Sequence, residues 1–462
     1  MAGSQRISPP SSASAAWHAV SVAVVIPFRR DWTEEREGDW TDGPWKLQGL
    51  WDARRGGPKS VNYSGPPDNW FPQGRARDAV LPSSCEHLRF GAPWNFESPG
   101  HWRFAMAALE KFAFADFDRG SNVATIDFLV LHGVLECTSA NAPARFVQEI
   151  RKPKKPDDFL VTKALRAANV SAGQGKNGWI GKSGRDFTPD RRLVPFVVVQ
   201  ASVDFQLLEK SPLGPGYENW STGQRWSWCL TSGDPSLRDT LPPAPDDADA
   251  EFATAYVGPF LARAGREGLA FMAAGSGDSS LDPQLHTKLA QLAHLHAVRL
   301  VMLHLRQRHF LENHADELAA LDWSSKDGVP DSQALELEKR RLRFENKFWF
   351  TRLPARPAVT QILGILNSAS QMASLREDIA EESSAISRVL DLEKVRLGRE
   401  AEERRSELNS IVSAFAVAAV FLSLLALLAD PSVALFASGL IFSLVTLIWW
   451  GWRTKRGLHP NG

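Results

Sequence analysis

Histidines crowd one stretch of the chain and are the first candidates for metal chemistry. Six of the eleven histidines lie in residues 283–321, which predict one long helix: His286, His294, His296, His304, His309 and His314. A metal site on a helix needs ligands four residues apart on one face, whereas these six scatter around the helix at about 100° per residue. His286 and His304 share a direction but lie about 27 Å apart along the axis. We therefore favour surface or packing histidines, with metal sensing between subunits as the alternative.

Two other segments have the composition of a binding motif without its spacing. GQGKNGWIGKSG, residues 173–184, resembles a phosphate loop, but Lys176 stands where the first glycine is required, and the following RDFTPDRRLVPF cannot open a helix. A flexible basic loop that contacts an anion remains the alternative reading. An acidic run is predicted to be a solvated linker, with loose binding of divalent ions as its alternative; it comprises Asp246, Asp247, Asp249 and Glu251.

The sequence offers no residues on which an enzyme mechanism could rest. It contains no GxSxG motif, and its three cysteines, Cys85, Cys137 and Cys229, are far apart, as reduced thiols of a cytoplasmic domain would be. Lysine plus arginine equals aspartate plus glutamate, 53 of each, so no basic excess indicates nucleic acid. We therefore predict a protein that is not an enzyme and does not bind nucleic acid.

Polar residues near the C-terminal apolar region share one helical stripe. At about 100° per residue, a stripe roughly 100° wide contains Asn409, Ser413, Ala416, Val420, Ser423, Leu427 and Asp430. In an oligomer this stripe could line a pore, with a ring of Asp430 at the outer mouth attracting cations. Ordinary packing of small residues between helices, with Asp430 capping a turn, is the alternative. The candidate pore residues are Asn409, Ser413, Ser423 and Asp430.

Two apolar runs frame that stripe and predict a membrane hairpin. Residues 411–429 and 433–450 contain no charge, and each is close to the roughly 20 residues that cross a bilayer as a helix. Aromatic and basic residues suited to the membrane interface close the second run: Trp449, Trp450, Trp452, Arg453, Lys455 and Arg456. Arg404 and Arg405 precede the first run. Positive charge at both outer ends predicts a multi-pass protein of the cell membrane, with both termini in the cytoplasm.

The elements before the hairpin predict a mixed α/β domain followed by helices. Val-, Ile- and Phe-rich runs indicate strands at 19–28, 123–137, 193–208 and 269–274. Residues 104–117, FAMAALEKFAFADF, are interpreted as a helix between strands. Helices are predicted at 283–321 and 331–353, and one continuous helix from about 358 through the first span. A heptad seam at the start of that helix, typical of a coiled coil, comprises Ile365, Met372, Leu375, Ile379, Ile386 and Val389.

The predicted fold class is therefore α+β/α, with a long stalk helix and a two-helix transmembrane hairpin. The predicted parts are a disordered terminus at 1–16, the cytoplasmic α/β domain at 17–275, a helical pair at 276–353, the stalk at 354–410, the hairpin at 411–452 and a basic cytoplasmic tail at 453–462.

This order of parts resembles the CorA-like family of two-span membrane proteins, and the tail WRTKRG at 452–457 matches the family's short basic end. The resemblance implies a homo-oligomer, such as a pentamer, in a lipid bilayer, and a divalent cation such as Mg²⁺. The family's Gly-Met-Asn filter motif is absent, because Leu428, Ala429, Asp430 and Pro431 stand at that place. Some divergent CorA-like proteins are associated with antiviral defence and respond to cytoplasmic signals.

Two functions follow as expectations. The first is an oligomeric CorA-like membrane protein that passes cations and is gated by its cytoplasmic domain. The second is a membrane-anchored signalling or defence effector without selective transport. A small cytoplasmic ligand is an open partner in both.

Overall fold

The computed structural model describes a large part of an α/β unit and one long helix. The residues that it describes are 17–29, 34–35, 41–42, 84–98, 101–114, 126–151, 171–172, 194–204, 208, 220–232, 254–257, 260–274, 290–321, 331–350, 357–428, 439 and 443. The chain divides into two units, Met1–Ser383 and Ser384–Gly462.

A mixed β-sheet forms the centre of the first unit. Its strands are β1 Trp17–Arg29, β3 Thr41–Asp42, β4 Ser84–Ser98, β5 Trp102–Ala113, β6 Ile126–Cys137, β8 Phe196–Val203, β9 Thr254–Val257, β10 Phe260–Gly265 and β11 Gly268–Ala274. In space they follow the order β3-β4-β5-β6-β1-β8-β11-β10-β9. Neighbours are antiparallel except β8 and β11, which run parallel. Two short strands, β2 Glu34–Glu35 and β7 Ser171–Ala172, pair separately.

The central strands are buried on both faces, which explains their composition. In β1 every residue from Val20 to Ile26 is buried, and in β8 every residue from Phe196 to Val203 is buried. Valine and isoleucine suit such positions because their branched side chains pack well on a pleated surface. The predicted strands at 19–28, 123–137 and 269–274 are confirmed in the parts that the structure describes, and the strand predicted at 193–208 is shorter, Phe196–Val203, with residues 194–195, 204 and 208 outside it.

Helices cover both faces of this sheet. On one face lie α1, Ala142–Arg151, and α2, Thr222–Ser232. There Phe146 of α1 packs edge-on against Trp102, with ring centroids 4.9 Å apart, and Trp226 of α2 packs against Trp17 at 5.6 Å. On the other face lie a π-helical turn, Leu292–Ala297, the helix α3, Val298–Ala319, that continues it, and α5, Pro357–Ala369.

The prediction of a helix at 104–117 is wrong, because this segment forms most of β5. Ala, Leu, Glu and Lys favour helices, but β5 pairs with β4 on one side and β6 on the other. Phe104 and Met106 show the period of two that a strand requires, and a register shift between Met106 and Ala108 moves the later buried residues, such as Phe112, to the other face. Tertiary pairing therefore overrides the local preference.

The prediction of one continuous helix from residue 358 is also wrong. Helix α5 ends at Ala369, and a new helix, α6, runs from Met372 to Leu428. Between them Gln371 adopts a left-handed backbone with φ of 50°. Its carbonyl then accepts the first hydrogen bond of α6, from the Leu375 amide at 3.1 Å. The break separates two helices where the sequence has neither glycine nor proline.

The predicted heptad seam packs partly within the chain itself. Ile365, Met372 and Ile379 are buried and Ile386 is half-buried. The first three belong to the first unit. Their apolar side chains therefore contribute to the core of this unit, which removes them from any seam between copies.

Candidate functional site

Five buried polar side chains form a continuous hydrogen-bonded chain between the sheet and the π-helical turn. Glu110 Oε2 lies 2.8 Å from His132 Nε2, and His132 Nδ1 lies 3.0 Å from His294 Nδ1. His294 Nε2 lies 2.9 Å from Ser21 Oγ, which donates to Gln200 Oε1 at 2.6 Å. Each of the five is at most 3 % exposed. We call this set the polar chain.

Strand register brings four members of the polar chain onto one face of the sheet. Ser21 is the direct partner of Gln200, and His132 is the partner of Ala23, two residues further along β1. With Glu110, the four members come from four adjacent strands, in the order β5, β6, β1 and β8. The fifth member, His294, comes from the π-helical turn, a conformation that is rare and frequently found at functional sites. The turn therefore closes the polar chain from above the sheet.

With Ser21 as the donor to Gln200, the hydrogen bonds of the polar chain place its protons in one consistent series. Since the Ser21 hydroxyl donates to Gln200, His294 must donate to Ser21 through Nε2 and accept through Nδ1 from His132. One further proton is then shared between His132 Nε2 and the Glu110 carboxyl group. Burial, and secondly the neighbouring His132, lowers the pKa of His294 well below its ordinary value, which keeps this ring neutral.

The same five side chains can also bond in the reverse direction. If the Gln200 amide turns and donates to Ser21, each donor becomes an acceptor, and the series ends with His132 Nε2 donating to the Glu110 carboxylate. The orientation of the Gln200 amide therefore sets the direction of the hydrogen bonds, and the geometry of the polar chain supports both directions.

A second buried histidine pins α3 to the break between α5 and α6. His304 Nδ1 lies 3.1 Å from Asn367 Oδ1, and its Nε2 lies 3.1 Å from Ser370 Oγ, one residue before the left-handed Gln371. Burial lowers the pKa of His304 to about 4, the Asn367 hydrogen bond opposes this shift in part, and the charge of Arg308 adds to the lowering. The neutral ring can bond both partners at once, one as donor and one as acceptor.

Ion pairs hold the first turns of α6 against α4, Asp331–Phe348. Arg376 Nε lies 3.2 Å from Glu345 Oε1, and its guanidinium lies 5.2 Å from the Trp349 ring centroid. Arg341 bridges Glu345 and Glu338 at 2.8 and 2.7 Å. The Arg341 hydrogen bond is the largest cause of a lowered Glu338 pKa, and a Ser383 hydrogen bond adds to it. Because these groups are partly buried, the cluster holds the N-terminal turns of α6 more firmly than exposed pairs would.

Of the helices in the described part of the chain, α6 is long and apolar enough to cross a membrane, judged by length and composition. Three predicted pore residues, Asn409, Ser413 and Ser423, lie on it and are exposed. Ser423 Oγ donates to the Ala419 carbonyl at 2.9 Å. Phe415 and Leu422, on a different side of the helix at about 100° per residue, are half-buried. The exposed polar stripe is therefore available to a partner.

Several predicted residues lie outside the described part of the chain. These are Asp430 and the interface residues Trp449, Trp450, Trp452, Arg453, Lys455 and Arg456. Within the second apolar run the structure describes Gly439 and Ser443, both helical, and the Ser443 hydroxyl donates to the Gly439 carbonyl at 2.9 Å. The glycine-rich segment at 173–184, the acidic run at 246–251 and His286 also lie outside the description.

The other five histidines of the predicted helix are buried. Among the described residues, no group of three or more His, Cys, Asp or Glu side chains is arranged to hold a metal ion. Of the five, His294 and His304 make the hydrogen bonds described above, and the prediction of surface histidines is wrong for all five.

Sequence reasoning missed four members of the polar chain. The available signal was a polar residue inside otherwise apolar strands, such as Ser21 in VSVAVV, His132 in FLVLHGVL and Gln200 in FVVVQASV. Comparison with family models, with curated proteins and with solved structures finds no match to this chain.

Proposed function

We propose that this chain is an oligomeric membrane protein of CorA-like architecture that passes cations under the control of its α/β unit. The observation that carries the proposal is α6. This one helix of 57 residues begins among the ion pairs of the first unit and ends in an unburied apolar segment. An apolar stretch of 18 residues in this helix is unburied, and a bilayer provides the nonpolar environment that such a stretch requires.

The second apolar run, residues 433–450, completes the proposed hairpin. Tryptophans and basic residues at its end would anchor it at the inner interface, and both termini would then lie in the cytoplasm. Two spans cannot enclose a path for ions, so several copies must surround it. The stripe of Asn409, Ser413 and Ser423 is polar and exposed, as the lining of a shared path would be.

The contacts at the N-terminal end of α6 offer a means of controlling the passage of cations. Arg376 binds α4, and His304 bonds the residues that precede the break. A change in the α/β unit that releases either contact would alter how α6 is held. In this proposal the polar chain supplies such a change, since His294 and His304 lie on one continuous helical segment.

Cation flux from proteoliposomes tests the proposal. We expect Ser413→Leu to reduce flux by about tenfold or more, because a large apolar side chain would narrow and dry the path. Ala418→Leu is the matched control, since Ala418 lies on the opposite side of α6, about 180° from Asn409. Equal flux in both variants and the wild type, with intact assembly, contradicts the pore.

A membrane-anchored signalling or defence effector without selective transport is the second candidate. The observation that favours it is the sequence Leu428-Ala429-Asp430-Pro431 at the place of the Gly-Met-Asn filter. In this case the protein inserts in the membrane and its α/β unit responds to a cytoplasmic signal, while liposomes loaded with cations release none.

A further inference from the structure

Arg263 occupies an unusual position in the first unit. It lies on β10, paired with Thr254 of the edge strand β9 and with Ala270 of β11. It is only 2 % exposed, although a charged side chain is rarely buried unless it is paired. Its position one strand from the sheet edge places this buried cation close to the surface of the unit.

Two indole rings form the walls around the Arg263 guanidinium. Its Cζ lies 4.8 Å from the ring centroid of Trp220 and 4.9 Å from that of Trp228. The two rings are 6.4 Å apart and meet at 73°, so the guanidinium sits in the corner between them. Aromatic faces attract the cation, but they accept no strong hydrogen bond from its N–H groups.

One edge of this guanidinium is buried and unpaired. Among the described residues, Nε and Nη2 of Arg263 have no hydrogen-bond partner, and neither does the Trp228 indole nitrogen. Nε and Nη2 lie on the same side of the planar group and direct parallel N–H bonds outward. This edge binds the two oxygens of a carboxylate or phosphate in the bidentate geometry for which arginine is suited.

The group keeps its charge at neutral pH and has no acidic partner in the described structure. Burial lowers the pKa of Arg263 to about 10, and the nearby Cys229 sulfur acts in the opposite direction. No carboxylate of the described residues contributes. An unpaired charge in such a position is costly, and buried polar groups of this kind call for an explanation such as a bound ion.

Arg151 provides an internal comparison. This arginine is also buried, yet its Nη1 and Nη2 donate to the carbonyls of Ser232 and Thr231, both at 2.7 Å, and its Nε lies 3.8 Å from Glu267. The fold therefore gives the two terminal nitrogens of Arg151 carbonyl acceptors at the end of α2 and leaves only its Nε without a hydrogen bond, whereas both donors of the Nε and Nη2 edge of Arg263 have no partner among the described residues.

We propose that the corner formed by Arg263, Trp220 and Trp228 binds the carboxylate or phosphate group of a small molecule. The Nε and Nη2 edge of Arg263 donates two parallel hydrogen bonds to the anion, and the Trp228 indole N–H is a third donor. Trp228 is half-buried, so part of this wall is exposed to solvent. The site lies in the first unit, and the inference does not rest on the proposed membrane function.

Thermal unfolding of the full-length protein in detergent tests the site with two probes, benzoate and inorganic phosphate. Sodium chloride at equal ionic strength is the reference. We expect at least one probe to raise the Tm in a saturable way that sodium chloride does not reproduce. Arg263→Lys keeps the charge but lacks the bidentate edge, so its apparent affinity should fall at least tenfold. Arg103→Lys is the matched control, because the Arg103 side chain is 46 % exposed, and it should respond like the wild type.

Three results overturn the proposal. The first is a wild-type Tm that responds to neither probe beyond the sodium chloride effect, a comparison that needs no variant to fold. The second is an equal response in Arg263→Lys. A third arm neutralises the acidic run as Asp246→Asn, Asp247→Asn, Asp249→Asn and Glu251→Gln. The Tm of the wild type and of Arg263→Lys is then compared, without a probe, with and without this change. If the difference between the two disappears, the anion that binds Arg263 is a carboxylate of the chain itself, and the small-molecule site is rejected.

Discussion

His294 joins the two halves of the polar chain, and its ring nitrogens bond Ser21 and His132. Replacing it by phenylalanine keeps much of the volume but leaves both partners buried without these hydrogen bonds. We expect His294→Phe to reduce the free energy of unfolding by about 2–4 kcal/mol, since each buried group left unsatisfied costs about 1–3 kcal/mol. Chemical unfolding of the full-length protein in detergent, followed by fluorescence, measures this loss.

His314→Phe is the matched control for that substitution. His314 is buried and stacks on Phe310, and neither of its ring nitrogens has a hydrogen-bond partner among the described residues. Its replacement should therefore change stability by less than about 1 kcal/mol, because the stacking is kept and no hydrogen bond is lost. Equal losses in the two variants would mean that the polar chain contributes no more than packing does.

His304 should make the first unit sensitive to acid. Its folded pKa is about 4 against an ordinary value of 6.5, so the unfolded chain binds a proton at a higher pH than the folded chain does. Stability is therefore complete above pH 6.5 and falls as the pH drops towards 4, by up to roughly 3 kcal/mol for this group. His314, whose pKa burial also lowers to about 4, adds to the slope in the same window.

Unfolding free energies of the wild type and His304→Gln between pH 7 and pH 4 measure this effect. Glutamine cannot titrate, so we expect a shallower slope in the variant, by roughly 1 kcal/mol per pH unit. Identical slopes would show that His304 already binds its proton in the folded protein near pH 6.5.

Among the elements, the break between α5 and α6 makes the sharpest prediction. Gln371 has φ of 50°, a conformation that favours glycine. We expect Gln371→Gly to stabilise the protein by about 0.5–1 kcal/mol. The same substitution at Gln361, exposed in the middle of α5, should destabilise it by about 1 kcal/mol. Thermal unfolding of the two variants gives opposite signs if the break is present, and two losses if one helix runs through residue 371.

The sequence predicted those elements whose signal is local. The valine-rich runs that became β1 and β8 fit a strand by composition and length, and the apolar character of α6 is plain from residues 411–428. The segment that forms β5 was predicted wrongly from its composition, because its Ala-Leu-Glu-Lys centre favours a helix. It is a strand because it pairs with β4 and β6. The break at Gln371 was missed because no glycine or proline marks it.

The candidate site was less predictable than the fold, for a physical reason. The polar chain depends on register between strands that lie far apart in sequence, and Ser21 and His294 are separated by 273 positions. A polar residue in an apolar strand indicates that its side chain has a hydrogen-bond partner, but the tertiary fold determines which residue that partner is. The cluster of six histidines indicated the helix that carries His294. His132, its partner, is an isolated histidine in β6, and nothing in the sequence indicated that the two residues meet.

In the whole molecule, as proposed, the single helix α6 connects the folded α/β unit to a path for ions across the membrane. The apolar segment of α6 can be satisfied by lipid in a monomer, but the exposed polar stripe of Asn409, Ser413 and Ser423 gains a role only when several copies meet around it. The number of copies therefore separates a path for ions from a simple anchor.

The mass of the full-length protein in mild detergent measures that number. The chain has a mass of 51.1 kDa, and we expect a defined oligomer of five chains, about 256 kDa after subtraction of the bound detergent. An assembly of this size is large enough to surround a path with one stripe from each copy. A monomer or a dimer could not do so, and either result would contradict cation transport and leave a membrane-anchored signalling protein.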